Sequence, residues 1–426
     1  MRTCIVSLVV FFVAVSGSLF AAGSSETNMA ADDPTSLNGQ LTFQHSVEGW
    51  HMAYFEPSFE AFASLYPGIT VESIEIADGG YEQLAQRVLL GAAARDIPDV
   101  AQTGFSFLET LSGSGRAIPL DGFFESDSAY DPDELLPAMR SLGMVGDETY
   151  LIPLGVSTPV VYINEAVFEA AGLDPDTPIA TWEDVQEASE AMQAAGFFGV
   201  YYAWEITGNW IFQTLLENAD ARMATEQDQI AFDSDEAIEA MQFVQDLVTD
   251  GLMPRVSDAV PMFLQGQLGM LISSSAGLET IRSLASFPFR LAPIPTKDGA
   301  EPRLPAGGSG VMMFAPEGQE RQMAWEFVKF LSSAQVASFV GRNSGYLPAN
   351  QSVLEELRAD FESDADRSLL LEQAPNVVPW HSWPGGRGAE ISARINQAEE
   401  DIIIGGADVA ETLRSAARDV EELLRR

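Results

Sequence analysis

The sequence predicts an α/β protein of two lobes, each a mainly parallel sheet flanked by helices, joined by extended hinge crossings into a clamshell. Three observations predict it. The chain has 426 residues, 46% hydrophobic and 20% charged, which is enough for two cores and too apolar for a disordered chain. Strand and helix patterns alternate from Gln40 onward, and such alternation builds parallel sheets covered by helices. Two extended apolar passages, Tyr150 to Asn164 and Phe289 to Pro295, interrupt the alternation where a chain would leave one lobe and return to it.

The elements follow in order. Arg2, the apolar run Ile5 to Val15 and the small residues Ala21, Ala22 and Gly23 read as a signal peptide over residues 1–23. The run is too short for a membrane span of ~20 residues. The single cysteine, Cys4, precedes the run. No lipid anchor is written after it, and the exported chain has no thiol for disulfides or metal. Residues 24–38 read as a disordered leader. Alternation over Gln40 to Gln44 marks a strand, and Phe55, Phe59, Phe62 and Tyr66 mark a helix closed by Pro67-Gly68. Ile69 to Ile74 is a strand, Tyr81 to Ala94 a helix and Asp99 to Gln102 a strand.

A second α/β region opens with the strand Val160 to Asn164. Thr181 caps a helix with Glu183 and Asp184 in its first turn. A helix over Asp235 to Asp250 and a strand near Met270 follow, and Phe289 to Pro295 is the candidate return crossing. The C-terminal part is mostly helical and ends in an amphipathic helix from Ala407 to Leu424. These divisions assign residues 39–154 with 297–342 to the N-terminal lobe and 155–296 with 343–426 to the C-terminal lobe. Ligands of open α/β sheets bind at the carboxyl ends of strands, so facing lobes share one cleft.

Charge narrows the partners. Lys plus Arg number 22 and Asp plus Glu 63, a formal net charge of -41, which repels nucleic acid and anionic lipid. Lys297 and Lys329 are the only lysines. That bias fits a saline habitat, where counterions screen self-repulsion, and equally an arginine-biased genome. No Gly-Lys-Ser/Thr loop, Gly-x-Ser-x-Gly elbow or His-Glu-x-x-His motif occurs, and His45, His51 and His381 lack metal-ligand spacing. The chain reads as a binding protein without metal or cofactor. A secreted glycosidase or lyase is the rival reading, which turnover of a bound ligand would reveal.

Several stretches carry a resemblance by their order and spacing. They are Phe43-Gln44-His45-Ser46-Val47-Glu48-Gly49, Gly80-Tyr81-Glu82-Gln83, Ser157-Thr158-Pro159 with the following strand to Asn164, and Ala171-Gly172-Leu173-Asp174-Pro175. Ser274-Ser275, Gly307-Gly308 and Ser344-Gly345-Tyr346-Leu347-Pro348 complete them. The chain resembles the extracellular solute-binding proteins of ABC importers, in the maltose-binding-like group, and within it the members that bind glycerol phosphates. The resemblance implies ligand contacts at Tyr81, Ser157, Ser274, Gly308, Tyr346 and Arg387. It places a further Trp in the cleft, either Trp204 or Trp210, and aligns a ligand-binding Glu with Phe105, whose apolar wall suits a larger or less polar ligand.

The residue chemistry fits those roles. Arg387 follows Gly385-Gly386, and a guanidinium fork beside glycines can grip phosphate through two hydrogen bonds. Ser157, Ser274 and the Gly307-Gly308 backbone offer neutral donors, and Tyr81, Trp204, Trp210 and Tyr346 can stack on a polyol or sugar. The implied function is capture of sn-glycerol-3-phosphate or a glycerophosphodiester by lobe closure, with delivery to the membrane permease subunits of an ABC importer. The alternative is the same role for a neutral sugar or oligosaccharide. The expected protein is a periplasmic or extracellular monomer.

Overall fold

A computed structural model describes residues 34–46, 51–77, 80–94, 96–225, 227 and 229–425. The expected signal peptide and most of the expected leader lie outside the described residues, and Pro34–Ser36 forms a short 3-10 turn.

Among the described residues the chain builds two main sheets and two small two-stranded ones. The first contains β1 (Gly39–Ser46), β2 (Ile69–Ile76), β3 (Val100–Gly104), β4 (Leu151–Ser157) and, from much later in the chain, Gly307–Met313. The second contains β5 (Pro159–Asn164), β6 (Phe198–Tyr202), β7 (Leu268–Ser274) and β8 (Phe289–Ala292). With Gly307–Met313 as β9, the strand orders are β2-β1-β3-β9-β4 and β8-β5-β7-β6.

The sheets are mixed rather than mainly parallel. β1 pairs parallel with β2 and β3, and β6 pairs parallel with β7. β9 runs antiparallel to both its neighbours, and so does β5. The physical reason is the crossing itself. A strand arriving from the other lobe enters its new sheet at the cleft edge, where the resident strands end, and therefore runs against them. β5 begins at Pro159, directly after β4 ends at Ser157.

The return crossing also lies later than the sequence suggests. Phe289–Ala292 stays in the second sheet as an edge strand paired with β5. The chain returns through Leu304–Pro305, which pairs with Val377–Val378. Extended residues look alike in sequence whether they pair at home or cross. A further link runs along the cleft, where Val156 and Leu347 exchange backbone hydrogen bonds of 3.0 and 2.8 Å.

The period of two along β1 explains the layers. Phe43 is fully buried and meets Phe55 and Phe327 edge-on, each at 5.1 Å between ring centroids. It thereby seats the helices His51–Leu65 and Gln319–Leu331 on one face. Gln44 points to the other face and donates to Leu84 O of the helix Gly80–Ala94 at 2.9 Å. In the second lobe Thr181 and Asp184 form a reciprocal cap, with bonds of 3.1 and 2.8 Å, opening the helix Trp182–Ala194. Trp182 stacks on Phe243 of the helix Asp235–Thr249 at 4.6 Å. Among the described residues no helix is long and apolar enough to cross a membrane.

Candidate functional site

Strand register brings the site together. In the first sheet Gly307 pairs with Ser157, and in the second Pro159 pairs with Ser274. Only Thr158 separates the two sheets at this point, so both serines and the start of β9 meet at the cleft. A cavity of about 220 Å³ opens there, and Ser46 at the end of β1 also reaches it.

The hydroxyls have defined directions. Ser274 Oγ accepts from the Ala276 amide at 3.1 Å and donates to Ser157 Oγ at 3.1 Å. The Ser157 hydrogen is thereby left for a ligand oxygen. The two glycines are needed by shape. A Cβ on Gly307 would lie 2.5 Å from both Ser157 Oγ and the Trp210 ring, and one on Gly308 would lie 2.5 Å from Gly155 O. Gly308 also has φ of +120°, outside the range of ordinary side chains.

Aromatic rings form most of the wall. Tyr81 comes from the first turn of the helix Gly80–Ala94 and packs over Gly104, where a Cβ would be 2.5 Å from the ring. Tyr346 lies against Gly155 and Gly308, in a turn held by Ser344 Oγ, which accepts from the Tyr346 amide at 3.2 Å. Trp210 and Trp380 are 5.9 Å apart, and Trp380 meets Tyr81 edge-on at 6.3 Å. Both indole N–H groups are already used: Trp210 donates to Pro305 O and Trp380 to Gly208 O, each at 3.0 Å. The tryptophans therefore offer π surface rather than donors.

Of the nine residues singled out in the sequence, six line this cavity: Tyr81, Ser157, Trp210, Ser274, Gly308 and Tyr346. Phe105 is buried behind the glycine pair, 3.4 Å from where a Gly308 Cβ would sit, and pads the wall from the rear. Trp204 faces elsewhere, with its indole 3.4 Å from Val256 O, beside Glu399 in a small separate void. Arg387 does not line the cavity. It precedes the helix Gly388–Ile403, is partly exposed and pairs with Glu390 at 3.1 Å. The sequence reading missed Ser46, Ile206, Thr207, Ala276 and Trp380 as wall residues. Trp380 had a signal, because it heads the aromatic and glycine stretch that contains Arg387.

Among the described residues no charged side chain lines the cavity. The undescribed segments next to Ser46 and Gly80 contain Glu48 and Asp78 but no Lys or Arg. Behind the wall, burial pushes the Glu399 carboxyl well above its usual range and lifts Glu205 to about 7. Burial lowers His45, whose ring nitrogens contact Ser46 O at 2.9 Å and Ser73 Oγ at 2.6 Å, anchoring the end of β1 in neutral form.

The sequence profile of bacterial extracellular solute-binding proteins matches residues 49–338. The sn-glycerol-3-phosphate-binding periplasmic protein UgpB of Brucella melitensis is 27% identical over 322 residues, 71% of this chain and 74% of that protein. The crystal structure of UgpB from Mycobacterium tuberculosis in complex with glycerophosphocholine superposes with a TM-score of 0.79 at 23% identity, covering 91% of this chain and 99% of that one. An ABC substrate-binding protein of Listeria monocytogenes in complex with cycloalternan gives a TM-score of 0.79 at 18% identity, with the same coverage. The family profile, spanning more than half of the chain, and the two-lobed fold agree: this chain belongs to the bacterial extracellular solute-binding protein family.

Proposed function

We propose that the cavity takes a glycerophosphate compound, and a zwitterionic glycerophosphodiester in preference to sn-glycerol-3-phosphate itself. The observation that carries this reading is a wall of hydroxyls and aromatic rings with no basic side chain among the described residues. A phosphate dianion in such a cavity, in a chain of net charge -41, would lose its hydration with no cation in return, a cost of several kcal/mol. A phosphodiester carrying a quaternary ammonium group is neutral overall. Its phosphate oxygens can accept from Ser157, and its cationic head gains roughly 0.5–2 kcal/mol against aromatic rings. The names of the relatives support the glycerophosphate class.

Ligand contact is assigned to Tyr81, Ser157, Trp210, Ser274, Gly308 and Tyr346. The lobes comprise residues 39–154 with 297–342 and 155–296 with 343–426, although β4 carries the first sheet on to Ser157. A monomer, exported by a signal peptide, closes on its ligand and presents the closed shape to ABC permease subunits. No catalysis, nucleic acid or cofactor is involved. The uncharged wall also favours a second reading, a neutral sugar, in line with the ligand of the Listeria protein.

Titration calorimetry against glycerophosphocholine, sn-glycerol-3-phosphate, maltose and trehalose tests both. Glycerophosphocholine is expected to bind at least tenfold more tightly than the other three. Binding of a sugar alone would keep the family role and replace the ligand class.

A further inference from the structure

One side chain that does not line the cavity makes three hydrogen bonds between the two lobes. Glu82 lies in the first turn of the helix Gly80–Ala94, which packs on the first sheet. Its carboxylate reaches across the cleft. One oxygen accepts from the Gly208 amide at 2.8 Å and from Ser392 Oγ at 2.8 Å, and the other accepts from the Thr207 hydroxyl. All three donors belong to the second-lobe side: Thr207 and Gly208 follow β6, and Ser392 lies in the helix Gly388–Ile403.

The receiving group is built in advance. Gly208 has φ of +69°, and a Cβ there would lie 2.6 Å from Ser106 Oγ and 2.7 Å from the Trp380 ring, so only glycine fits. Asn209, also left-handed at φ of +54°, donates to Ser392 O at 3.2 Å and to Glu399 at 3.1 Å, tying the turn to the helix. The Gly208 carbonyl accepts from the Trp380 indole, so the same peptide segment carries both a lobe contact and a wall ring. Three converging donors form a socket for a carboxylate.

We propose that Glu82 is the clasp of the closed form, a positioning residue that sets affinity by favouring closure without touching the ligand. The proposal rests on the capture-by-closure reading and deepens it. A group that acts only on the equilibrium between open and closed forms changes the apparent affinity of every ligand by one common factor. A group that touches the ligand changes the affinities unequally.

The test compares wild type with Glu82→Ala and Glu82→Gln. Calorimetry against glycerophosphocholine and whichever sugar binds is combined with amide hydrogen exchange of the ligand-free chain. The expected result is a loss of at least tenfold for each ligand by the same factor in Glu82→Ala. Exchange at Gly208 should be faster, and Glu82→Gln should fall between, since its amide keeps one acceptor oxygen. Should Glu82→Ala not fold, the nearly isosteric Glu82→Gln carries the comparison alone. Loss confined to one ligand would make Glu82 a ligand contact and overturn the clasp. Unchanged exchange at Gly208 would overturn it too, whichever ligand binds. Failure of glycerophosphocholine alone to bind refutes the ligand assignment and leaves the clasp to be decided by exchange and by the sugar.

Discussion

At Ser157 a hydroxyl acquires a direction from its neighbours. The Ala276 amide and Ser274 Oγ form a chain that ends on Ser157 Oγ and leaves one hydrogen for the ligand. Ser157→Ala should therefore weaken binding by about 1 kcal/mol, roughly fivefold in Kd by calorimetry. Arg387 is the contrasting case. Its guanidinium pairs with Glu390 on the outside of a helix start, and exposed pairs of this kind contribute little. Arg387→Ala should leave Kd for glycerophosphocholine within about twofold of wild type, and a loss of tenfold or more would put the guanidinium at the ligand. At this scale the sequence is informative wherever local shape forces a residue. Gly307, Gly308 and Tyr346 stand out because glycines and an aromatic in a turn fit no helix or strand period. Thr207 does not stand out, because its role depends on a partner in the other lobe. The choice between Trp204 and Trp210 turns on where the helix Trp210–Glu217 begins, which spacing alone does not encode.

Elements were legible where period and caps agree. The alternation of β1 and the reciprocal cap at Thr181 are local properties, and both recur in the fold. The direction of β5 and β9 is not local, since it depends on which end of a lobe the chain enters. The helix Gly388–Ile403 carries a further consequence of packing. It buries Glu399, and burial raises that carboxyl and Glu205 above the ordinary value of 4.5, Glu205 to about 7. A carboxyl with a raised folded pKa holds its proton more tightly in the folded chain. Its contribution to stability is full below about 4.5 and is lost as pH rises through the folded value. Glu399→Gln, which cannot ionise, should match wild type near pH 4.5. It should exceed it at pH 7.5, where the wild-type carboxyl must either ionise while buried or hold its proton against the solution. Urea unfolding of both proteins at the two pH values checks this.

Over the whole molecule the charge of -41 acts on stability and on ligand choice. Self-repulsion is long-ranged at low salt and is screened within ~3 Å in molar salt. The thermal midpoint should rise by several degrees, roughly 5 °C, between 0.02 and 1 M NaCl. Over the same range sn-glycerol-3-phosphate should bind more tightly while glycerophosphocholine stays nearly constant, because only the former carries net charge. A falling midpoint, or equal salt slopes for the two ligands, would contradict this account. The placement of β9 bears on the order of assembly. It lies between β3 and β4, yet it is made of residues 307–313. Until that segment has arrived, β3 and β4 each keep an unpaired edge, a state prone to wrong association. The second sheet uses only residues between 159 and 292 and can close earlier. The sheet that begins the chain is thus the sheet completed last, and a chain ending before residue 307 would leave it without an interior strand.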